Sequence, residues 1–192
     1  LIPKRRLDST ESVGLEIDLK KLFGTNVSDK GIRSAIADDL IEIIQARTAK
    51  GQGVNGRGQV VELPAPYSKE YSESLKFKAF GKKPNKVNMK LTGSMLSSID
   101  LIGEEGSKIV IGIDNEEAPK AHGHMTGANG NLPVRPFLGL TAADLDEVRD
   151  KYADKIGDNS KITFKDLKER NDLVKLIKFF SPGPTFRTGF EE

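Results

Sequence analysis

From Ser28 or Asp29 onward, apolar side chains recur at Ile32, Ile36, Leu40, Ile43 and Ile44, and no other feature limits the fold of this chain as much. Spacings of three and four residues put these side chains on one stripe of a helix. Ser28 and Asp29 are both residues that cap a first turn, and the pattern predicts a helix running to about Ala49. A helix with one apolar stripe must bury it against another element. The partners are strands: Val60-Val61-Glu62-Leu63, and the β-branched stretches 99–102 and 109–113, which flank Gly-Glu-Glu-Gly-Ser and read as an antiparallel hairpin. The expected class is α+β, with a long N-terminal helix and shorter helices on a small antiparallel sheet, and with extended N- and C-terminal arms.

The remaining elements follow from the same local rules. Residues 1–27 read as an N-terminal arm, basic at Lys4, Arg5 and Arg6 and holding one short strand within the alternating stretch Val13 to Leu19. Tyr67, Tyr71, Leu75 and Ala79 fall at every fourth position and predict a second helix, capped by Ser68 and stopped at Gly81. Leu91 to Ile99 reads as a brief helical turn, and Pro133 to Leu140 as a strand that hands over to a helix opened by Thr141-Ala-Ala-Asp144, with Leu145, Val148 and Tyr152 on one face. The central α+β domain is thereby expected over 28–156. Residues 157–192 form a C-terminal extension with a further helix, through Leu167, Leu173, Leu176 and Ile177, ended by Pro182-Gly-Pro184.

Composition removes whole classes of function. No stretch reaches the roughly 18 consecutive apolar residues of a membrane helix, and Leu1 to Arg6 lacks an apolar signal core, so no membrane partner and a cytosolic site of synthesis are expected. The absence of cysteine excludes disulfides and thiolate metal sites. A net charge of +2, from 30 basic and 28 acidic residues, is too balanced for a dedicated nucleic-acid binder, so any contact with DNA is local.

Three motifs carry chemistry at first sight. Gly51, Gly53 and Gly56 fit G-x-G-x-x-G, but a dinucleotide fold needs a strand before the glycines and a helix after them, whereas here the order is reversed. No cofactor is expected, and the loop with Arg57 reads instead as a subunit contact. His122-Gly-His124 offers a metal two ligands where zinc takes three or four, so no metal is expected and both histidines read as packed at a subunit boundary. Lys76, Lys78, Lys82, Lys83, Lys86 and Lys90 make a basic run free of acids, with Phe77 and Phe80 interleaved. Lys78, Lys82, Lys83 and Lys86 are its candidate DNA contacts, while the plainer reading buries both phenylalanines and leaves the lysines in water.

Pro133-Val-Arg135-Pro136-Phe137-Leu-Gly139-Leu140 is a corner built from fixed backbone. The prolines hold φ, Phe137 anchors the core and Gly139 releases the chain into the capped helix. Arg135 is expected to pair with a carboxylate, in its own subunit or across an interface.

At this corner the chain resembles the tailed-phage virion-morphogenesis and tail-completion family, the head-tail joining proteins, in which R-P-F-[LF]-G-L leads into an acidic helix. Four further pieces match in the family's order: Arg47-Thr48 with the glycine loop, Tyr67-Ser-Lys-Glu-Tyr71, Leu91-Thr-Gly-Ser-Met-Leu-Ser-Ser-Ile99, and His124-Met-Thr-Gly127. The resemblance covers about residues 30–155 and implies a non-enzymatic virion protein of the phage neck. It implies a homo-oligomeric ring of six or twelve copies between portal and tail, with neck, portal or tail proteins as partners and incidental contact with DNA in the channel. The extended C-terminal tail departs from the family pattern. Two rivals stand beside this expectation: a small DNA-binding accessory protein using Lys76 to Lys90, and a metal-dependent hydrolase built on His122 and His124.

Overall fold

In the computed structural model, which describes residues 11–89, 93–127, 132–157 and 173–180, the sheet is organised around Glu11–Asp18 (β1). Val13, Leu15 and Ile17 alternate along it and are buried, as a strand with one face on a core requires. They lie opposite Ile113, Ile111 and Ile109 of Lys108–Ile113 (β5), whose side chains are also buried. β5 forms the expected hairpin with Asp100–Glu105 (β4) through a turn at Gly106, where φ is +57°. On its other side β1 takes Val174–Phe180 (β6), so all pairings are antiparallel and the order is β4-β5-β1-β6.

This topology corrects the two arms. β1 is interior to the sheet, and Leu19–Phe23 (α1) buries Leu19, Leu22 and Phe23 beside Val27 in the core, so the boundary at residue 27 separates nothing. Pairing with β5 buries the apolar side of β1, which an extended arm would leave in water. Within 157–192, residues 174–180 form a strand and not a helix, in keeping with their β-branched and aromatic content. Residues 1–10, 158–172 and 181–192 lie outside the described residues, as do the links 90–92 and 128–131.

Lys30–Ala49 (α2) is the 20-residue helix that the periodicity predicts, with Asp29 as its cap accepting from the Ile32 amide at 2.9 Å. It is the second helix among the described residues, because α1 precedes it. Ile36, Leu40 and Ile44 are fully buried where α2 crosses β4 and β5 and meets Ala142–Ile156 (α7). α7 opens on the complete capping box: Thr141 Oγ1 accepts from the Asp144 amide, and Asp144 Oδ2 accepts from the Thr141 amide at 2.6 Å. The architecture is α+β, with α2 packed against β4 and β5 of the four-stranded sheet and α7 packed against α1 and α2.

Three local expectations change. Half of the glycine loop is a strand: Gln52–Val54 (β2) pairs antiparallel with Val60–Glu62 (β3) in a separate two-stranded sheet. The helix expected over 67–80 is two, Lys69–Glu73 (α3) and Leu75–Ala79 (α4), divided at Ser74. Ser74 takes extended backbone at ψ 145° and its hydroxyl accepts from the Phe77 amide, restarting the helix in a new phase. Phe77 thereby becomes the buried residue, while Leu75 is 88% exposed and Phe80 52% exposed, against expectation for both. Finally, Pro133 to Leu140 joins no ladder. Pro133 and Pro136 lack donors, and the Phe137 amide turns back to the Arg135 carbonyl, a three-residue turn that ends any strand.

Candidate functional site

The corner is held from two sides. Arg47, near the end of α2, is buried and donates to the Gly139 carbonyl at 2.9 Å and to Asp144 Oδ2. One guanidinium thus joins α2, the corner and the cap of α7. From the other side β2 approaches: the Val54 amide donates to the Pro136 carbonyl at 2.8 Å. A Cβ on Gly53 would lie 2.2 Å from that same oxygen, and one on Gly139 would lie 2.8 Å from Val54 Cβ. Gly53 and Gly139 are therefore needed for close backbone approach. Gly51 serves its turn at φ +89°, whereas a Cβ on Gly56 would meet nothing within 4 Å. Arg57 is exposed at the tip of the β2–β3 hairpin, where the Asn55 side chain accepts from its amide.

Arg135 does not take the expected carboxylate among the described residues. Only 3% exposed, it donates from Nε to the Pro64 carbonyl at 3.2 Å and lays its guanidinium over the Tyr67 ring at 5.3 Å. Its Nη1 stands 3.5 Å from His124 Nδ1. Arginine only donates, so Nδ1 is the accepting nitrogen and the imidazole proton sits on Nε2. The Arg135 amide also donates to the His124 carbonyl at 2.7 Å.

His124 belongs to Ala118–Thr126 (α6), a helix that the histidine- and glycine-containing segment did not announce, although Pro119 in its first turn and Gly127 at its end are start and stop signals. On a helix, positions two apart point to nearly opposite sides. His122 and His124 accordingly cannot converge on one ion, and no group of three histidine or carboxylate side chains stands ready for a metal among the described residues.

Around Arg135 opens a cleft of about 720 Å³. One wall is aromatic: Tyr67, Tyr71 and Phe77 meet edge to face with centroids 5.1–5.4 Å apart. Met89, Met95, Leu132 and Pro133 add apolar surface. Lys82 reaches over the Tyr67 ring and donates to its hydroxyl at 3.3 Å, and Lys76 and Lys120 also line the cleft. The one carboxylate of the lining among the described residues, Glu117, is paired with Lys120 and accepts from Ser94 Oγ at 2.7 Å. Of the DNA candidates, only Lys82 belongs to this cleft; Lys78, Lys83 and Lys86 are exposed elsewhere. Sequence reasoning missed Tyr67, Tyr71 and Lys120 as a group, although the tyrosine pair at helical spacing was a signal available for the first two.

Burial first, then the charges of Arg135 and Lys120, hold the His124 imidazole down at about 4. Burial also pushes the Lys82 ammonium down and both tyrosine hydroxyls up. An unfolded histidine takes its proton near pH 6.5, so between about 6.5 and 4 the unfolded chain binds more protons and stability falls with falling pH. From this group we expect a loss of about 2 kcal/mol between neutral pH and pH about 4, after allowance for partial exposure. Urea titrations at the two pH values check it. His124→Gln should flatten this component, and an unchanged pH dependence in the variant contradicts the assignment.

Comparisons with protein-family models, with curated proteins and with solved structures find no match to this chain.

Proposed function

We propose that the chain is a structural subunit of a tailed-phage neck, a tail-completion or head-tail joining protein that works as one copy of a ring between portal and tail. The observation that carries the reading is the convergence of the segments on which the resemblance rests. Arg47 bonds to Gly139 and Asp144 at the corner. Tyr67 stacks under Arg135 of the same corner, and Arg135 meets His124. Gln45, one turn before Thr48, donates to the Leu96 carbonyl at 2.9 Å, and Ser94 bonds to Glu117 at the start of α6. Pieces that lie as much as 97 positions apart in the chain form one interlocked unit, which supports reading them together as one scaffold.

The surface suits such a role. β2 is covered by the corner, while β3 presents Val60 at 50% exposure. Val60, Leu75 on α4 and Phe80 at its C-cap are exposed apolar side chains that a subunit contact could cover. Copies joined head to tail through unlike patches close into a ring where the rotation allows it. The test is the mass of the purified protein by light scattering at several concentrations. A discrete ring, or a monomer that becomes ring-bound on the particle, agrees with the proposal; Val60→Asp should weaken assembly while leaving the fold intact. A monomer that ignores particles and binds duplex DNA, with affinity falling steeply in salt, would turn the reading to the DNA-binding alternative.

A further inference from the structure

The cleft around Arg135 has a chemistry that the neck proposal does not use and on which that proposal does not depend. An arginine only 3% exposed normally faces a carboxylate, since a buried charge without a counter-charge is costly; among the described residues Arg135 has a carbonyl, a ring face and a neutral imidazole. Its Nε is committed to Pro64 and Nη1 faces His124, which leaves Nη2 for a ligand at the cleft. Lys76, Lys82 and Lys120 stand in the same lining against one carboxylate, Glu117, already neutralised by Lys120. The remaining surface is apolar and aromatic, from Tyr67, Tyr71 and the two methionines.

We propose that this cleft docks a peptide segment of a protein partner in which an acidic residue adjoins an apolar or aromatic one, the carboxylate meeting Arg135 and the apolar side chain lying on the Tyr67–Met95 surface. Carboxylate geometry matches a guanidinium fork. A nucleic-acid strand fits less well: its successive phosphates need a basic track, and the exposed lysines Lys78, Lys83 and Lys86 do not continue the cleft. The aromatic wall gives the neighbouring side chain a desolvated seat of the kind that carries binding energy in peptide recognition.

The experiment is a two-dimensional amide NMR titration of the full chain with the blocked hexapeptide acetyl-Gly-Phe-Glu-Phe-Glu-Gly-amide, its Gln-for-Glu analogue, inorganic phosphate and a single-stranded oligonucleotide. The expected result is saturable binding of the Glu peptide below about 1 mM, with shifts at Tyr67, His124 and Arg135, and affinity at least about tenfold weaker for the Gln analogue. Arg135→Lys should cost a similar factor. Because Arg135 is buried and its replacement can unfold the chain, exposed Lys76→Glu serves as the second variant and should weaken binding several-fold with an unchanged thermal melt. Equal binding of the two peptides, preference for phosphate or oligonucleotide, shifts confined to other surfaces, or no saturation by about 1 mM would each overturn the proposal.

Discussion

Replacing Arg47 with alanine is expected to lower the stability of the folded chain by about 3 kcal/mol, the cost of removing one partner from a buried ion pair and leaving the other uncompensated. The guanidinium lies within the core between α2 and α7, and its two bonds end on different elements. Without it the Gly139 carbonyl loses its buried donor. Asp144 keeps its bond from the Thr141 amide but loses its counter-charge. Arg47→Lys retains the charge, yet a single ammonium cannot span both acceptors in the fork geometry, so about half of the loss should remain. Urea unfolding followed by circular dichroism measures both variants. A cycle with Asp144→Asn should show coupling of about 1 kcal/mol or more between the two positions. A midpoint for Arg47→Ala within error of the parent would mean that the pair does not hold the corner.

Gly53→Ala is the second large effect, and its contrast with Gly56→Ala is as informative as its size. The added methyl would sit 2.2 Å from the Pro136 carbonyl oxygen, 2.8 Å from its carbon and 2.9 Å from Leu63 Cδ2. Backbone on the corner side cannot retreat cheaply, because that oxygen accepts from Val54 and the corner is held by Arg47 behind it. We expect a loss of about 2–3 kcal/mol, the range for overpacking a close contact. Gly56→Ala, with nothing within 4 Å of its added carbon, should change stability by no more than about 0.5 kcal/mol. A freely moving glycine loop would make the two substitutions equivalent; equal midpoints would therefore argue that β2 does not pack on the corner.

What could be read from the sequence is what nearest neighbours encode. α2 and α7 are legible because their apolar stripes and their caps, Asp29 and the Thr141–Asp144 box, lie within a turn of each other. The β4–β5 hairpin is legible for the same reason. β1 is the opposite case: Val13, Leu15 and Ile17 show a strand, but only pairing with β5 on one side and with the far more distant β6 on the other makes it interior to the sheet. Proline misleads at the corner, where extended φ angles look like a strand although the missing donors and the turn at Arg135–Phe137 prevent a ladder. The aromatic spacing through Leu75 misleads because Ser74 caps as readily as it continues a helix, and only the gain from burying Phe77 decides between the two.

The candidate site was less legible than the fold. Gly53 and Gly139 were recognised as glycines that matter, but that they matter to each other's strands depends on contacts between segments 86 positions apart. Arg135 was singled out, but among the described residues its partners are the Pro64 carbonyl, the Tyr67 ring and His124 instead of a carboxylate. Its surroundings come from the segment that leads into α3, from the turn after α4 and from α6, and no local pattern joins Tyr67, Lys82 and His124.

The most direct measurement of the central claim adds the purified chain to separated phage heads and tails made without it, followed by the mass and composition of the isolated particles. We expect the protein to be taken up in a fixed ring stoichiometry at the head-tail junction, and heads and tails then to join. Joining at the same level without the protein, or uptake without fixed stoichiometry, would contradict it.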